Sequence, residues 1–149
     1  MGVKIIAKHK RASHDYFLLE KFEAGIMLVG TEVKSLRNGK ASIAEAFISI
    51  DKNGEVWIQN MNIPHYNFGN IHNHEEFRKR KLLLHKKEIA KIALRAQAER
   101  LTLIPTSLYF KSSKVKVEFA LAKGKKQHDK RQDAAKKTVE RKLRQGNYD

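Results

Sequence analysis

The eight residues Lys114-Val115-Lys116-Val117-Glu118-Phe119-Ala120-Leu121 alternate too sharply for a helix and read as a half-buried β-strand. Val115, Val117, Phe119 and Leu121 fall on one face, while Lys114 and Lys116 project from the other. A strand with one apolar and one charged face belongs in an antiparallel sheet covered on one side. The uncovered face of that sheet is basic.

The rest of the chain supplies partners for such a strand. Tyr16-Phe17-Leu18-Leu19 reads as a strand, and Gly25 to Gly30 as another strand or a bent continuation, with corners or a bulge at its glycines. Ala46 to Asp51 and Glu55 to Met61 flank Lys52-Asn53-Gly54, an Asn-Gly hairpin signal, and Trp57 between them is expected in the core. Leu101 to Phe110 reads as a strand that Pro105 restricts to an edge or a bulge, followed by the short turn Lys111-Ser112-Ser113.

Two segments have helical character. Thr31 to Gly39 can be capped by Thr31, favoured by Glu32 at its positive end and closed by Gly39, with Val33 and Leu36 as anchors. Lys34, Arg37 and Lys40 could then share a basic edge, with a solvated face as the plain alternative. Lys86 to Glu99 carries an apolar stripe of Ile89, Ile92, Ala93 and Ala96. The expected fold is therefore mainly β with helices: an antiparallel barrel of the oligonucleotide-binding (OB) type with about two or three flanking helices.

Residues 63–79 lose periodicity and read as a long surface loop. His65, His72 and His74 lie there beside Glu75 and Glu76, but their spacing matches no strong metal site, and solvated histidines are the plainer reading. Leu83, within Arg80-Lys81-Leu82-Leu83-Leu84-His85, reads from its residues alone as core rather than as an exposed contact.

After Leu121 the core-building pattern stops. Residues 123–149 hold ten Lys and Arg against four Asp and Glu, a surplus of six within the chain's net +15. The expected division is a folded body over residues 1–122, with residues 1–14 as a flexible basic arm, and a basic tail over 123–149. That tail is expected to be disordered when free and to order on a partner. A charge of this size argues for nucleic acid or an anionic surface as partner. No apolar run approaches a membrane span, and of the anionic partners nucleic acid is the strongest reading. The absence of cysteine excludes disulfide frameworks and thiolate zinc fingers, and fits a cytoplasmic setting. A nuclease using His72, His74 and Glu75 would need a nucleophile, a metal constellation or a phosphate-binding glycine loop, and none is present; no enzyme and no cofactor is expected.

Taken together, several segments resemble the bacterial SsrA-binding protein (small protein B) family. These are His14-Asp15-Tyr16-Phe17, Phe22-Glu23-Ala24-Gly25-Ile26, Gly30-Thr31-Glu32-Val33-Lys34-Ser35-Leu36-Arg37, Gly39-Lys40-Ala41, Arg80 to His85, Leu108-Tyr109-Phe110-Lys111 and Ala122 to Arg131. The resemblance runs from about Lys10 to Arg131, and the end, Gln145 to Asp149, finds no counterpart in it.

The resemblance implies a non-enzymatic RNA-binding factor with an OB-like barrel. Its body would bind the tRNA-like domain of transfer-messenger RNA. With elongation factor Tu, the complex would enter stalled ribosomes and start trans-translation. Glu23, Leu83, His85 and Lys114 then fall at RNA contacts, which reverses the residue-only reading of Leu83. Lys123, Lys125, Lys126, His128, Asp129, Lys130 and Arg131 fall where the family's tail meets the empty message channel and the decoding centre of the small subunit. A general RNA-binding or ribosome-associated protein is the alternative that composition alone favours.

Overall fold

The structure is a computed structural model and describes residues 2–66, 73–126 and 130–132. In chain order its elements are β1 (Val3–Lys8), α1 (Ala12–Asp15), β2 (Tyr16–Ile26), α2 (Gly30–Arg37), β3 (Phe47–Ile50), β4 (Val56–Gln59), β5 (Arg80–Leu83), α3 (Lys86–Ala98), β6 (Thr102–Lys111) and β7 (Lys114–Gly124). The strands run β6-β3-β4-β5-β2-β7, and β7 pairs back onto β6, so six strands close into a ring. All the pairings are antiparallel. The closure is narrow at two seams, where β3 meets β6 only at Ile48↔Leu103 and β2 meets β5 only at Gly25↔Leu83 and Ile26↔Leu82. The OB-like antiparallel architecture expected from the sequence is the one observed, in this ring-like form.

Inside the ring, Ala24, Ile48, Val56, Ile58, Leu82, Leu103, Leu108, Val117, Phe119 and Leu121 meet Leu36 from α2 and Ile92 from α3. The alternation of β7 thus aims Val115, Val117, Phe119 and Leu121 inward, as their spacing predicts. Each fully buried Leu, Ile or Phe contributes roughly 1.5–3 kcal/mol, so this set dominates the stability of the body.

The register shifts between Leu18 and Glu20 in β2, and between Pro105 and Ser107 in β6. Pro105 therefore sits at a bulge, one of the two places expected of it, although β6 is paired on both edges. Near these bulges the outer face is covered as well. Ala12 of α1 packs there with Ile104 and Ala122, flanked by Tyr16 and Leu18.

Three local expectations are corrected. Residues 3–8 are not a loose arm but strand β1, paired with β6 from Val3↔Lys111 to Lys8↔Ser107, with Ile6 and Ala7 packed on the core. The partner edge comes from a hundred residues away, which a weakly patterned N-terminus could not reveal. By contrast, of the two readings of the run that starts at Gly25, a further strand or a continuation, the continuation is observed, since β2 runs unbroken from Tyr16 to Ile26. Thr31 does not cap α2: the helix opens at Gly30, Val29 N–H donates to Glu32 Oε1 at 2.9 Å, and the Thr31 hydroxyl pairs with His74 Nδ1 at 2.9 Å. Trp57 is half-buried on the outside of the ring, because Val56 and Ile58 take the inward positions. Its Nε1–H donates to Asp51 at 3.0 Å, and Lys79 Nζ stands 4.4 Å from its ring.

A buried ion pair ties α2 to β5. Glu32 and Arg80 are both completely buried. Arg80 donates to Glu32, to the Met61 carbonyl at 2.9 Å and to the Glu76 carbonyl at 3.1 Å, while Arg78 also donates to Glu32. Burial alone would raise the Glu32 pKa, but the bonds from Arg78, Val29 N–H and Arg80 hold it below the ordinary carboxylate range. This network fixes β5 three residues before Leu83.

Candidate nucleic-acid interface

The strand registers align one row of residues across five strands. Leu83 of β5 faces Gly25 of β2, Gly25 faces Lys116 of β7, Lys116 faces Tyr109 of β6, and Tyr109 faces Ile5 of β1. The neighbouring row holds Lys114, Lys111 and Val3. Because Val115 and Val117 point inward, both rows lie on the outer face.

A groove of about 420 Å³ follows these rows, lined by Gly25, Ile26, Leu28, Val33, Leu83 and residues 113–116. Leu83 is 49% exposed, so it is a wall of this groove rather than part of the core. A Cβ at position 25 would stand 3.4 Å from Leu83 Cβ, in ordinary van der Waals contact, so the glycine keeps the groove floor low without being sterically required. An apolar floor and wall beside Lys114 and Lys116 suits a nucleobase or ribose next to its phosphates. Leu83 also borders a second, larger hollow between the β3–β4 turn and α3.

Glu23 lies two residues before Gly25 on β2 and shares its outward face. Tyr109 donates its hydroxyl to Glu23, and Lys111 Nζ lies 3.4 Å from the carboxylate. The Tyr109 bond is the largest cause of a Glu23 pKa below the ordinary range, outweighing burial with help from Lys111 and Lys116. Tyr109 in turn is pushed above its ordinary value, first by burial and then by Glu23, so it remains a donor.

The remaining candidates are spread more widely. His85 is exposed at the start of α3, where its N–H lies 3.4 Å from Glu88 Oε1. The basic edge expected of Lys34, Arg37 and Lys40 is divided. Lys34 Nζ stands 5.6 Å from the Tyr66 ring, whereas Arg37 lines a small hollow with Lys4, Phe110 and Ser113. Since Ser113 also lines the larger groove, Arg37 and Lys4 extend its basic rim. Lys40 is exposed beyond the end of α2.

His74, one of the expected solvated histidines, is instead buried, bonded to Thr31 and, at 2.7 Å, to the Ile63 carbonyl. His72 lies outside the described residues. Among the described residues no cluster of three or more His, Cys, Asp or Glu could hold a metal.

The start of the tail lies at the far end of β7. That strand continues through Gly124, two residues past the expected boundary, and Lys123 faces Phe17. Lys125 N–H donates to the Asp15 carbonyl at 2.9 Å, and its Nζ donates to the Ser13 carbonyl at 2.8 Å while standing 4.9 Å from the Phe17 ring. Lys130 Nζ reaches Asp15 at 3.4 Å, and residues 130–132 are helical. Lys126 and Arg131 are exposed. His128, Asp129 and the expected disorder of residues 133–149 lie outside the described residues.

Sequence reasoning singled out Lys114 but not Lys116 as a contact, and it missed Gly25 and Tyr109. Alternation marks both lysines as outward, and only the pairing register shows which stands beside Leu83.

A family model described as "SmpB protein" matches residues 6–147. The chain belongs to the SmpB family. This SmpB-family chain is 56% identical over 142 residues to the SsrA-binding protein of Saccharopolyspora erythraea, covering 95% of this chain and 89% of that relative. It is 58% identical over 131 residues to the SsrA-binding protein of Bifidobacterium adolescentis, covering 88% and 82%. A solved chain described as "tmRNA-SmpB: a journey to the center of the bacterial ribosome" shares 42% identity at a TM-score of 0.67, covering 83% of this chain and 90% of that one. The family match extends to residue 147, past Arg131 where the visible resemblance stops. Among the described residues no helix is long and apolar enough to cross a membrane.

Proposed function

We propose that this chain is an RNA-binding ribosome-rescue factor that captures the tRNA-like domain of transfer-messenger RNA and brings it to stalled ribosomes for trans-translation. The observation that carries this reading is an apolar groove rimmed by Lys114 and Lys116, with Glu23 beside it, on the outer face of an SmpB-family ring. Lysines supply salt-dependent attraction for phosphates. Leu83, Glu23 and His85 supply contacts that depend on which bases and riboses stand unpaired.

In this reading the body, residues 1–122, holds the RNA, and residues 123–149 act on the ribosome. The eleven-residue β7 begins at Lys114 and ends at Gly124, which separates the groove from the tail's origin by roughly 33 Å along the strand. Lys123, Lys125, Lys126, His128, Asp129, Lys130 and Arg131 would meet the empty message channel and decoding centre. Elongation factor Tu would join through the RNA, in the cytoplasm. Binding and positioning are sufficient for this role, and no catalytic group is required.

A competition experiment tests the assignment. The labelled tRNA-like domain should resist displacement by an unrelated hairpin of equal length at moderate salt. Equal displacement by the two RNAs would favour a general RNA-binding protein instead.

A further inference from the structure

The carboxylate of Glu23 stands in the open, yet it is held. Tyr109 donates its hydroxyl to Oε2, and Lys111 Nζ lies 3.4 Å from both carboxylate oxygens. Tyr109 and Lys111 are two residues apart on β6, so they approach the carboxylate from one face. The Tyr109 side chain cannot swing away: it is only 7% exposed and is flanked in register by Ile5 and Lys116. Glu118, the register partner of Glu23, brings a like charge but is turned toward the Thr106 hydroxyl at 2.8 Å and Lys21 at 3.6 Å.

We propose that Tyr109 is a positioning residue for RNA binding, whose hydroxyl sets the Glu23 carboxylate in the orientation that accepts hydrogen bonds from unpaired bases or a ribose. The inference rests on the reading that Glu23 touches RNA. A carboxylate has about four acceptor directions. Tyr109 and Lys111 come from the sheet side and leave the others for N–H or O–H donors on the ligand. An exposed glutamate otherwise samples many rotamers, and freezing it on binding costs affinity. A rigid phenol meets that cost before the RNA arrives. The same bond holds the Glu23 pKa below the ordinary range, with Lys111 and Lys116 assisting, so the carboxylate stays a full acceptor to lower pH than a free glutamate would.

The test uses the full chain and a labelled transcript of the tRNA-like domain, comparing wild type, Tyr109→Phe, Glu23→Ala and the double variant. Tyr109→Phe is expected to melt cooperatively and to weaken binding roughly fivefold, the order expected for releasing one ordered side chain. Glu23→Ala, which leaves nothing for the hydroxyl to position, should weaken binding at least as much, and adding Tyr109→Phe to it should change nothing further. A role confined to the fold would not move the titration of Glu23. Carboxylate NMR should show that titration rising toward the ordinary value of 4.5 in Tyr109→Phe, and the acid limb of RNA binding should rise with it.

Wild-type affinity in Tyr109→Phe, an unchanged Glu23 titration, or an equal further loss on the Glu23→Ala background would each overturn the proposal. An unaffected Glu23→Ala would overturn the contact reading of Glu23 and the proposal together. Should Tyr109→Phe fail to fold, Glu23→Asp serves in its place. It keeps the charge but falls short of the hydroxyl, and undiminished binding by it would overturn the proposal.

Discussion

Leu83→Ala separates a contact residue from a core residue by where its cost appears. Leu83 is 49% exposed, so about half of its side chain already packs, part of it beside Gly25, and the other half is available to a ligand. Fully burying a leucine is worth roughly 1.5–3 kcal/mol. The packed half therefore accounts for about 1 kcal/mol of stability, and the open half for about 1 kcal/mol of affinity if RNA covers it. The variant should lose ~3–5 °C in Tm by circular dichroism. Its affinity for the tRNA-like domain should fall roughly fivefold by fluorescence anisotropy. A stability loss of about 3 kcal/mol or more, the range of buried Leu→Ala changes, would refute the surface assignment. Unchanged affinity would refute the contact.

Glu32→Gln should cost about 3–5 kcal/mol in chemical denaturation, because it leaves Arg80 buried without its counter-charge. Since the folded pKa of Glu32 is depressed, its share of wild-type stability should hold above the ordinary 4.5 and decline as pH falls through the lower folded value, so the acid limb should be smaller in the variant. Lys114→Ala and Lys116→Ala should each flatten the slope of log affinity against log salt by about 0.7–0.9, and an unchanged slope would remove that lysine from the phosphate contacts. Ending the chain after Lys126 should leave RNA affinity nearly intact and abolish tagging on stalled ribosomes; a large loss of RNA affinity would contradict the division between body and tail.

Side-chain period made much of the fold legible. The inward set of β7, the Asn-Gly hairpin, the stripe of α3 and the bulge at Pro105 all follow from local chemistry. What local chemistry could not reveal depends on distant partners. Strand β1 exists because β6 offers it an edge, and Trp57 faces outward because its register in the ring assigns the inward positions to its neighbours. Arg80 is buried because Glu32 and the carbonyls of Met61, Glu75 and Glu76 accept from it, partners that its sequence neighbours do not announce. The candidate interface divides similarly. Outward lysines were visible from alternation, but the row that joins Leu83, Gly25, Lys116 and Tyr109 exists only once four strands are in register. Leu83 itself looked like core until family resemblance moved it to the surface, where the structure also has it.

The most direct test of RNA capture is to recover the protein from its host at moderate salt and sequence the RNA that accompanies it, alongside a Glu23→Gln, Leu83→Ala, Lys116→Ala triple variant. Transfer-messenger RNA should be enriched far beyond its cellular share with the wild type and fall back toward that share with the variant. Bound RNA that merely mirrors cellular abundance, or equal enrichment by both proteins, would contradict recognition through this face.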